Sequence, residues 1–148
     1  MNYETVVTDL FKRFPKIESS YNAEFAYMGK EKPGAYIVFG SVLIPALEEA
    51  LAAGDLGSIL PICAFLEEVA EEAHRDAGLE SLLQVEVGEW LGGAENETLL
   101  GPWLGVQTKR ICGYVPGLAT QRIALREERK KKRFKNRISS LMKQLRIK

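Results

Sequence analysis

Residues 56–77 read LGSILPICAFLEEVAEEAHRDA, and this stretch decides the class of fold. Its apolar side chains recur every three or four positions, which is the spacing of a helix with one buried side. Charged residues dominate the rest of its second half, and Gly78 follows where a glycine commonly ends a helix. We therefore predict a helix over 56–77. Its buried stripe should consist of Ile59, Ile62, Cys63, Leu66, Val69, Ala70 and Ala73.

The segment before this helix admits two readings. Residues 35–39 have the composition of a buried strand, but no turn signal separates them from the helical pattern that follows. We expect one helix over 35–53, kinked or restarted near Pro45 because a proline breaks the helical hydrogen bonding. Gly54 stands where a helix-ending glycine belongs, and Asp55 can cap the next helix.

The N-terminal region predicts one more helix. Residues 3–14 carry an apolar stripe at helical spacing, and Pro15 ends the helix because the residue before a proline avoids helical geometry. Residues 16–34 mix polar and aromatic positions, and we expect a loop with at most one short helix. The stripe consists of Tyr3, Val6, Val7, Leu10, Phe11 and Phe14.

The C-terminal half predicts a helix over 79–91 that ends at the glycine pair after Leu91, and a final helix over 118–146. Between them, Asn96 can cap a short segment through Leu100, and residues 103–117 are rich in turn residues. The inward residues of the first helix should be Leu82, Leu83, Val87, Trp90 and Leu91. The apolar stripe of the final helix consists of Phe134, Ile138, Leu141, Met142 and Leu145.

Helices of this length joined by short links predict an all-α fold. The architecture should be an antiparallel helical bundle or a short solenoid-like α-hairpin stack, with a long basic C-terminal helix. We place an acidic helical domain at 1–117 and the basic C-terminal helix at 118–148. The latter is either part of the same domain or an extended arm.

The net charge of zero conceals a division of charge along the chain. Residues 122–148 carry twelve Lys/Arg and two acids, a net of +10, whereas the other 121 residues carry eight bases and eighteen acids, a net of −10. Between Glu48 and Glu97, thirteen acids face a single base. Such a field steers cationic partners toward the protein. The predicted partner-binding residues are Glu67, Glu71, Glu86 and Glu89.

The basic C-terminal helix has three interpretations. It folds back onto the acidic part of its own chain or of a second copy, because its apolar stripe needs a partner. It binds nucleic-acid phosphates, although only Phe134 is available for stacking on bases. Or it lies on an anionic membrane or stays a solvated arm, with the membrane the less favoured. The predicted nucleic-acid-binding residues are Arg129, Lys130, Lys131, Lys132, Arg133, Lys135 and Arg137.

Catalytic equipment is sparse in this sequence. The only histidine, His74, is predicted on an exposed helix side, and one His with two Cys 49 positions apart fits no zinc-ligand spacing. Cys63 belongs to the predicted core, whereas Cys112 follows two cations and is either inert or a thiol of lowered pKa. We expect no enzymatic activity, no cofactor and no metal.

Cysteine content and the N-terminus favour the cytoplasm. Two cysteines are few for a disulfide-stabilised secreted domain, and the first residues lack the pattern of a signal peptide. The longest apolar stretch, 35–47, is interrupted and too short to cross a bilayer.

Five segments carry a resemblance: YIVFG (36–40), IPxLE (44–48), CAFLEE (63–68), VEVGEWL (85–91) and LGxxTK (104–109). Together they are similar to small all-α bacterial proteins of unknown function, several of which resemble immunity proteins of polymorphic toxin systems. The resemblance covers about residues 1–112 and implies a protein that binds and neutralises a cognate toxin. The basic segment after Gly117 departs from that pattern.

The leading hypothesis is a non-enzymatic binding protein, immunity-like, that engages a basic protein partner through acidic helix faces. The alternative is a nucleic-acid-associated accessory protein that acts through the basic C-terminal helix. Association into a homo-oligomer is left open by the sequence.

Overall fold

The computed structural model describes residues 1–93, 95–113 and 118–147, without the side chains of residues 97, 118–124, 126, 146 and 147. All regular secondary structure among these residues is helical, which confirms the all-α prediction. The helices are α1 (Val6–Arg13), α2 (Pro15–Glu24), α3 (Ala35–Ala53), α4 (Leu56–Glu72), α5 (residues 77–91), α6 (Asn96–Leu100), α7 (Val106–Ile111) and α8 (Leu118–Ile147). Short 3₁₀ turns lie at Ala26–Met28 and Gly101–Trp103.

Helix α4 is the centre of the helical bundle. All seven residues of its predicted stripe are buried, and Phe65 is buried with them. Helix α4 packs against α3 on one side and against α7 on another, and α1 packs on α2 and α3. Because nearly every buried residue is apolar, burial of the helix stripes is the main stabilising contribution.

Proline and aspartate set two helix boundaries that the sequence analysis misplaced. The expected loop over 16–34 contains the ten-residue helix α2, and Pro15 occupies its first position, where a missing N–H is harmless. Helix α4 ends at Glu72 rather than at residue 77. Asp76 instead caps α5, because its carboxylate accepts hydrogen bonds from the N–H groups of Gly78 (2.9 Å) and Leu79 (3.3 Å). Gly78 therefore lies in the first turn of α5 and does not close α4.

Helix α3 runs unbroken through residues 35–53, so the strand alternative is wrong. A π-helical segment, Phe39–Leu43, precedes Pro45. Pro45 lacks an N–H to donate to the carbonyl of Ser41, and the wider π turn accommodates that missing bond. Gly54 adopts the left-handed conformation (φ 65°) and ends the helix as predicted.

Helix α3 has the bounds that the sequence predicts, but it is long enough to revise the expectation that this segment is too short to cross a bilayer. Its 19 residues meet the length and composition needed to cross a membrane. Core helices of water-soluble proteins meet the same requirement, and Val38, Phe39, Leu43 and Leu47 of α3 are buried in the protein core. The expected cytoplasmic location stays a prediction.

Helix α5 contains a second π-helical segment, Leu83–Gly88, and ends at Leu91 as predicted. The π segments of α3 and α5 contact each other. The region 103–117 was expected to be turn-rich, but it contains α7. Residues 114–117, which hold the predicted boundary between the acidic and basic parts, lie outside the described residues.

Helix α8 is the long basic C-terminal helix that the sequence predicts. Its 30 residues span about 45 Å at the usual rise of 1.5 Å per residue. Every α8 side chain that the structure describes is exposed to solvent. The described part of α8 therefore extends from the bundle without being buried against it.

Candidate interaction surfaces

The four predicted partner-binding glutamates occupy three different environments, and Glu67 is already engaged. Its Oε1 accepts a hydrogen bond from the N–H of Gln107 (2.8 Å). Its Oε2 accepts from the N–H and from the hydroxyl of Thr108, at 2.9 and 2.8 Å. These N–H groups belong to the first turn of α7, whose own cap residue is Gly105 and has no side chain to offer. Glu67 thus caps α7 from α4.

The pKa of Glu67 reflects this engagement. Partial burial acts to raise the pKa, but the hydrogen bonds from Thr108 and Gln107 together outweigh it, so the pKa is lowered. Thr108 itself is fully buried. Glu67 is therefore a structural carboxylate, and its assignment to a partner-binding surface is a correction to the sequence analysis.

Glu68, the next residue, is paired with Arg13 of α1 across a partly exposed salt bridge. A pair with this exposure contributes little stability, typically below about 1 kcal/mol. Glu71, one turn after Glu67, is exposed and has no hydrogen bond or ion pair to any described residue. Within α4, Glu71 is therefore the predicted partner-binding residue that stays free to bind.

Glu86 and Glu89 lie at the meeting of the two π segments. The carboxylate of Glu86 lies over Gly40 of α3, so close that a Cβ at Gly40 would overlap Oε2. Desolvation and the adjacent charge of Glu89 raise the pKa of Glu86. Among the residues that the structure describes, neither Glu86 nor Glu89 has a cationic partner.

Two exposed apolar residues accompany these carboxylates. Ile37 of α3 lies three residues before Gly40 and is 46% exposed, and Val85 of α5 lies four residues before Glu89 and is 41% exposed. Residues three or four apart share a helix face. We call Ile37, Gly40, Val85, Glu86 and Glu89 the α3–α5 face. Ile37 and Val85 lie in apolar runs that are typical of a core, so the sequence alone does not mark them as exposed.

The basic surface of α8 is fully open within the described residues. All seven predicted nucleic-acid-binding residues, Arg129 to Arg133 together with Lys135 and Arg137, are exposed. None of them forms a hydrogen bond or an ion pair with another described residue. The side chains of Arg122, Arg126, Arg146 and Lys148 lie outside the described residues. Self-neutralisation of the acidic bundle by the described cations of α8 is therefore not observed.

The apolar stripe of α8 is also exposed. Its five residues, Phe134, Ile138, Leu141, Met142 and Leu145, are between 46% and 70% exposed. A stripe of this kind on a helix normally faces a partner. The stripe has no such partner among the contacts of the described residues.

The remaining candidate residues have structural contacts. His74 is exposed, with Nε2 at 3.0 Å from Oε1 of Gln107 and Nδ1 at 3.0 Å from a guanidinium nitrogen of Arg110. Burial raises the pKa of Cys63 to about 11 and that of Cys112 to about 12. The alternative that Cys112 has a lowered pKa is therefore wrong. In the described ranges no group of three or more His, Cys, Asp or Glu could hold a metal ion.

No protein-family model matches this chain, and neither does any curated protein or solved structure. The resemblance to immunity-like proteins therefore stays a prediction from the sequence.

Proposed function

We propose that the protein is a non-enzymatic, immunity-like binding protein that engages a basic protein partner through acidic helix faces. The observation that carries the proposal is that the negative charge of the helical bundle is not paired with the described cations of α8. Residues 1–121 have a net charge of −10, and none of the described α8 cations pairs with it. An uncompensated acidic surface attracts cationic partners and accelerates their encounter.

The binding residues in this proposal are Glu71, Glu86 and Glu89. Glu67 is left out because it caps α7. Glu86 has the strongest reason to accept a cation, because its pKa is raised by desolvation and by Glu89. A lysine or arginine brought next to that pair would relieve both unfavourable effects. The sequence resemblance over residues 1–112 supports the same reading, since immunity proteins act by binding a toxin.

The test compares two baits in a pull-down from native lysate. The first is the full chain, and the second carries Glu71→Lys, Glu86→Lys and Glu89→Lys. A protein that binds the acidic faces should be retained by the first bait and lost from the second. Its dissociation constant, measured by calorimetry, should rise at least about tenfold on reversal, which corresponds to about 1.4 kcal/mol.

A matched control separates the site from net charge. Glu4→Lys, Glu18→Lys and Glu24→Lys change the charge by the same amount at three exposed positions near the N-terminus that have no described partner. Equal loss of binding in the N-terminal variant and in the Glu71/Glu86/Glu89 variant would show that only net charge matters. Unchanged binding by the Glu71/Glu86/Glu89 variant would refute the proposal.

A second candidate function rests on the seven exposed α8 cations, which suit nucleic-acid phosphates. Binding to duplex DNA would then weaken with salt, with a log–log slope of about −0.9 for each phosphate neutralised. Fluorescence anisotropy on labelled duplexes between 50 and 200 mM salt measures that slope. Absence of binding at the lowest salt would exclude this candidate.

A further inference from the structure

Helix α8 combines two features that one partner must satisfy together. The apolar stripe lies along one side of the helix, exposed over its whole length from Phe134 to Leu145. At about 100° of rotation per residue, Lys135 and Arg137 border the stripe on opposite sides. Their long alkyl stems can lie on apolar surface while the charged ends reach outward. The matching partner has an apolar centre and acidic edges.

The α3–α5 face carries both kinds of group. Ile37 and Val85 supply exposed apolar surface, and Glu86 and Glu89 supply carboxylates without a described cationic partner. The two parts of the chain are also matched in total charge, at +10 for residues 122–148 and −10 for the rest. The stripe, the cations and the acidic face are thus complementary within one sequence.

We propose that α8 of one copy docks on the α3–α5 face of a second copy, in a reciprocal two-fold dimer. A reciprocal exchange of this kind closes on itself. The docking segment from Lys130 to Leu145 is about 24 Å long and 10 Å wide, so two such contacts would bury on the order of 1,000 Å² in total, near the lower limit of specific protein interfaces. This inference goes beyond the proposed function: it uses the same acidic face, but it names a segment of this chain as the basic group that fits it.

A second copy suits α8 better than the other anionic partners. Nucleic-acid phosphates would neutralise the cations, and Phe134 could stack on a base, but the four aliphatic side chains of the stripe would stay in water. An anionic lipid surface would cover stripe and cations, but it would be repelled by the net negative bundle. Docking on a second copy covers the stripe and brings α8 cations to Glu86 and Glu89.

The first experiment measures the mass of the full chain in solution by light scattering after gel filtration, at 100 µM protein and 50 mM salt. The expected result is twice the chain mass of 16.5 kDa. At 1 M salt the Debye length falls to about 3 Å, and the dimer dissociation constant should rise at least about tenfold. A monomer at low salt would overturn the inference.

Two charge-reversal variants test the reciprocal geometry. The helix variant carries Lys130→Glu, Lys135→Glu and Arg137→Glu, and the face variant carries Glu86→Lys and Glu89→Lys. Each alone should be monomeric, because like charges then meet at both contacts. An equimolar mixture should form a heterodimer, because the new glutamates of one α8 then meet the new lysines of the partner's face, and the unchanged α8 cations meet the unchanged Glu86 and Glu89. A face variant that still dimerises by itself would show that α8 pairs with α8, which overturns the inference.

A neutral pair of variants tests the stripe without changing charge. Leu141→Ser lies in the stripe and should raise the dimer dissociation constant at least about tenfold, which corresponds to about 1.4 kcal/mol. Leu125→Ser lies on the opposite side of α8 and should leave the constant within about twofold. Both residues are exposed in the single chain, so neither change should disturb the fold. Equal effects of the two would overturn the inference.

The outcomes separate this inference from the proposed function. A chain that is monomeric but captures its basic partner leaves the proposed function standing and removes the inference. A dimer that is lost in the face variant, together with partner capture that is unchanged by reversal of Glu71, Glu86 and Glu89, supports the inference and removes the proposed function. A monomer that pellets with phosphatidylserine vesicles or shifts duplex DNA would assign α8 to that ligand and overturn the inference.

Discussion

Replacing Glu67 should separate its structural role from that of its exposed neighbour Glu71. Glu67 supplies both carboxylate oxygens to the first turn of α7, in three hydrogen bonds of 2.8–2.9 Å. In Glu67→Gln one oxygen becomes an NH₂ group, which faces N–H and O–H donors. The buried hydroxyl of Thr108 or the N–H groups beside it would then lose their acceptor.

The expected loss follows from the kind of bond removed. A hydrogen bond to a charged group contributes about 1.5–3 kcal/mol, and a helix cap contributes about 1 kcal/mol. These contributions overlap here, because the same carboxylate supplies both. We therefore expect Glu67→Gln to lower the free energy of unfolding by about 2 kcal/mol and Glu67→Ala by about 3 kcal/mol. Glu71→Gln should change it by less than about 0.5 kcal/mol, as for a surface site.

Urea unfolding followed by tryptophan fluorescence is a suitable assay, since Trp103 lies just before α7 and Trp90 lies in α5. The pH dependence gives a second readout. The pKa of Glu67 is lower in the folded protein than its ordinary value of 4.5. The stabilisation is therefore present above pH 4.5 and is lost as the pH falls through the folded pKa. The difference between wild type and Glu67→Gln should be smaller at pH 4 than at pH 7.

A substitution at Gly105 tests the contact between Glu67 and the start of α7. A Cβ at Gly105 would lie 2.7 Å from Cγ of Glu67 and would overlap its carboxylate. Gly105→Ala should therefore displace Glu67 and destabilise the protein by a similar amount, and Glu67→Ala with Gly105→Ala should be less destabilising than the sum of the two. Equal stability of the Glu67→Gln and Glu71→Gln variants, or strict additivity in the double variant, would refute this account of the cap.

Three further predictions test local environments. Gly40→Ala should push the flexible Glu86 carboxylate into solvent, so that an NMR titration finds its raised pKa moved back toward 4.5. Stability should not fall, because alanine favours helix over glycine by about 1 kcal/mol. An unchanged pKa of Glu86 would contradict the desolvation argument. Cys63 and Cys112, with pKa values of about 11 and about 12, should react with iodoacetamide at pH 7.5 at least about 100-fold more slowly than free cysteine, and at the ordinary rate in urea; rapid alkylation of folded Cys112 would contradict its burial. Asp76→Ala should lower the urea midpoint more than Asp76→Asn, because the amide keeps an acceptor for the N–H groups of Gly78 and Leu79; equal midpoints would count against the cap.

Helices whose apolar pattern extends over many residues were predictable from the sequence, because burial of one apolar stripe determines both that the helix forms and which side faces the core. The seven-residue stripe of α4 and the presence of one helix over 35–53 are confirmed for this reason. Helix α2 was missed because Pro15 was read only as the end of α1, although a proline is equally suited to the first position of a helix. Helix α7 was missed because six residues after a glycine carry too weak a period to be recognised.

The candidate site was less predictable than the fold. Sequence placed Glu67, Glu71, Glu86 and Glu89 in one category, since all four are acids on helices. The structure separates them: Glu67 caps α7, Glu71 is open, and Glu86 lies over Gly40 beside Glu89. A side chain reaching a helix end 40 residues away leaves no local pattern in the sequence.

By itself the sequence determined that the chain is helical, where its main apolar stripes lie, and that its charge divides into an acidic bundle and a basic C-terminal helix. Periodicity and composition depend only on residues close together in the chain, so they can be read without knowing which helices come into contact. Only the tertiary structure decided which carboxylates are used inside the fold and which remain open, and that the described part of α8 stays exposed. Those outcomes depend on which helices come together, so they are set by distances between residues far apart in the chain.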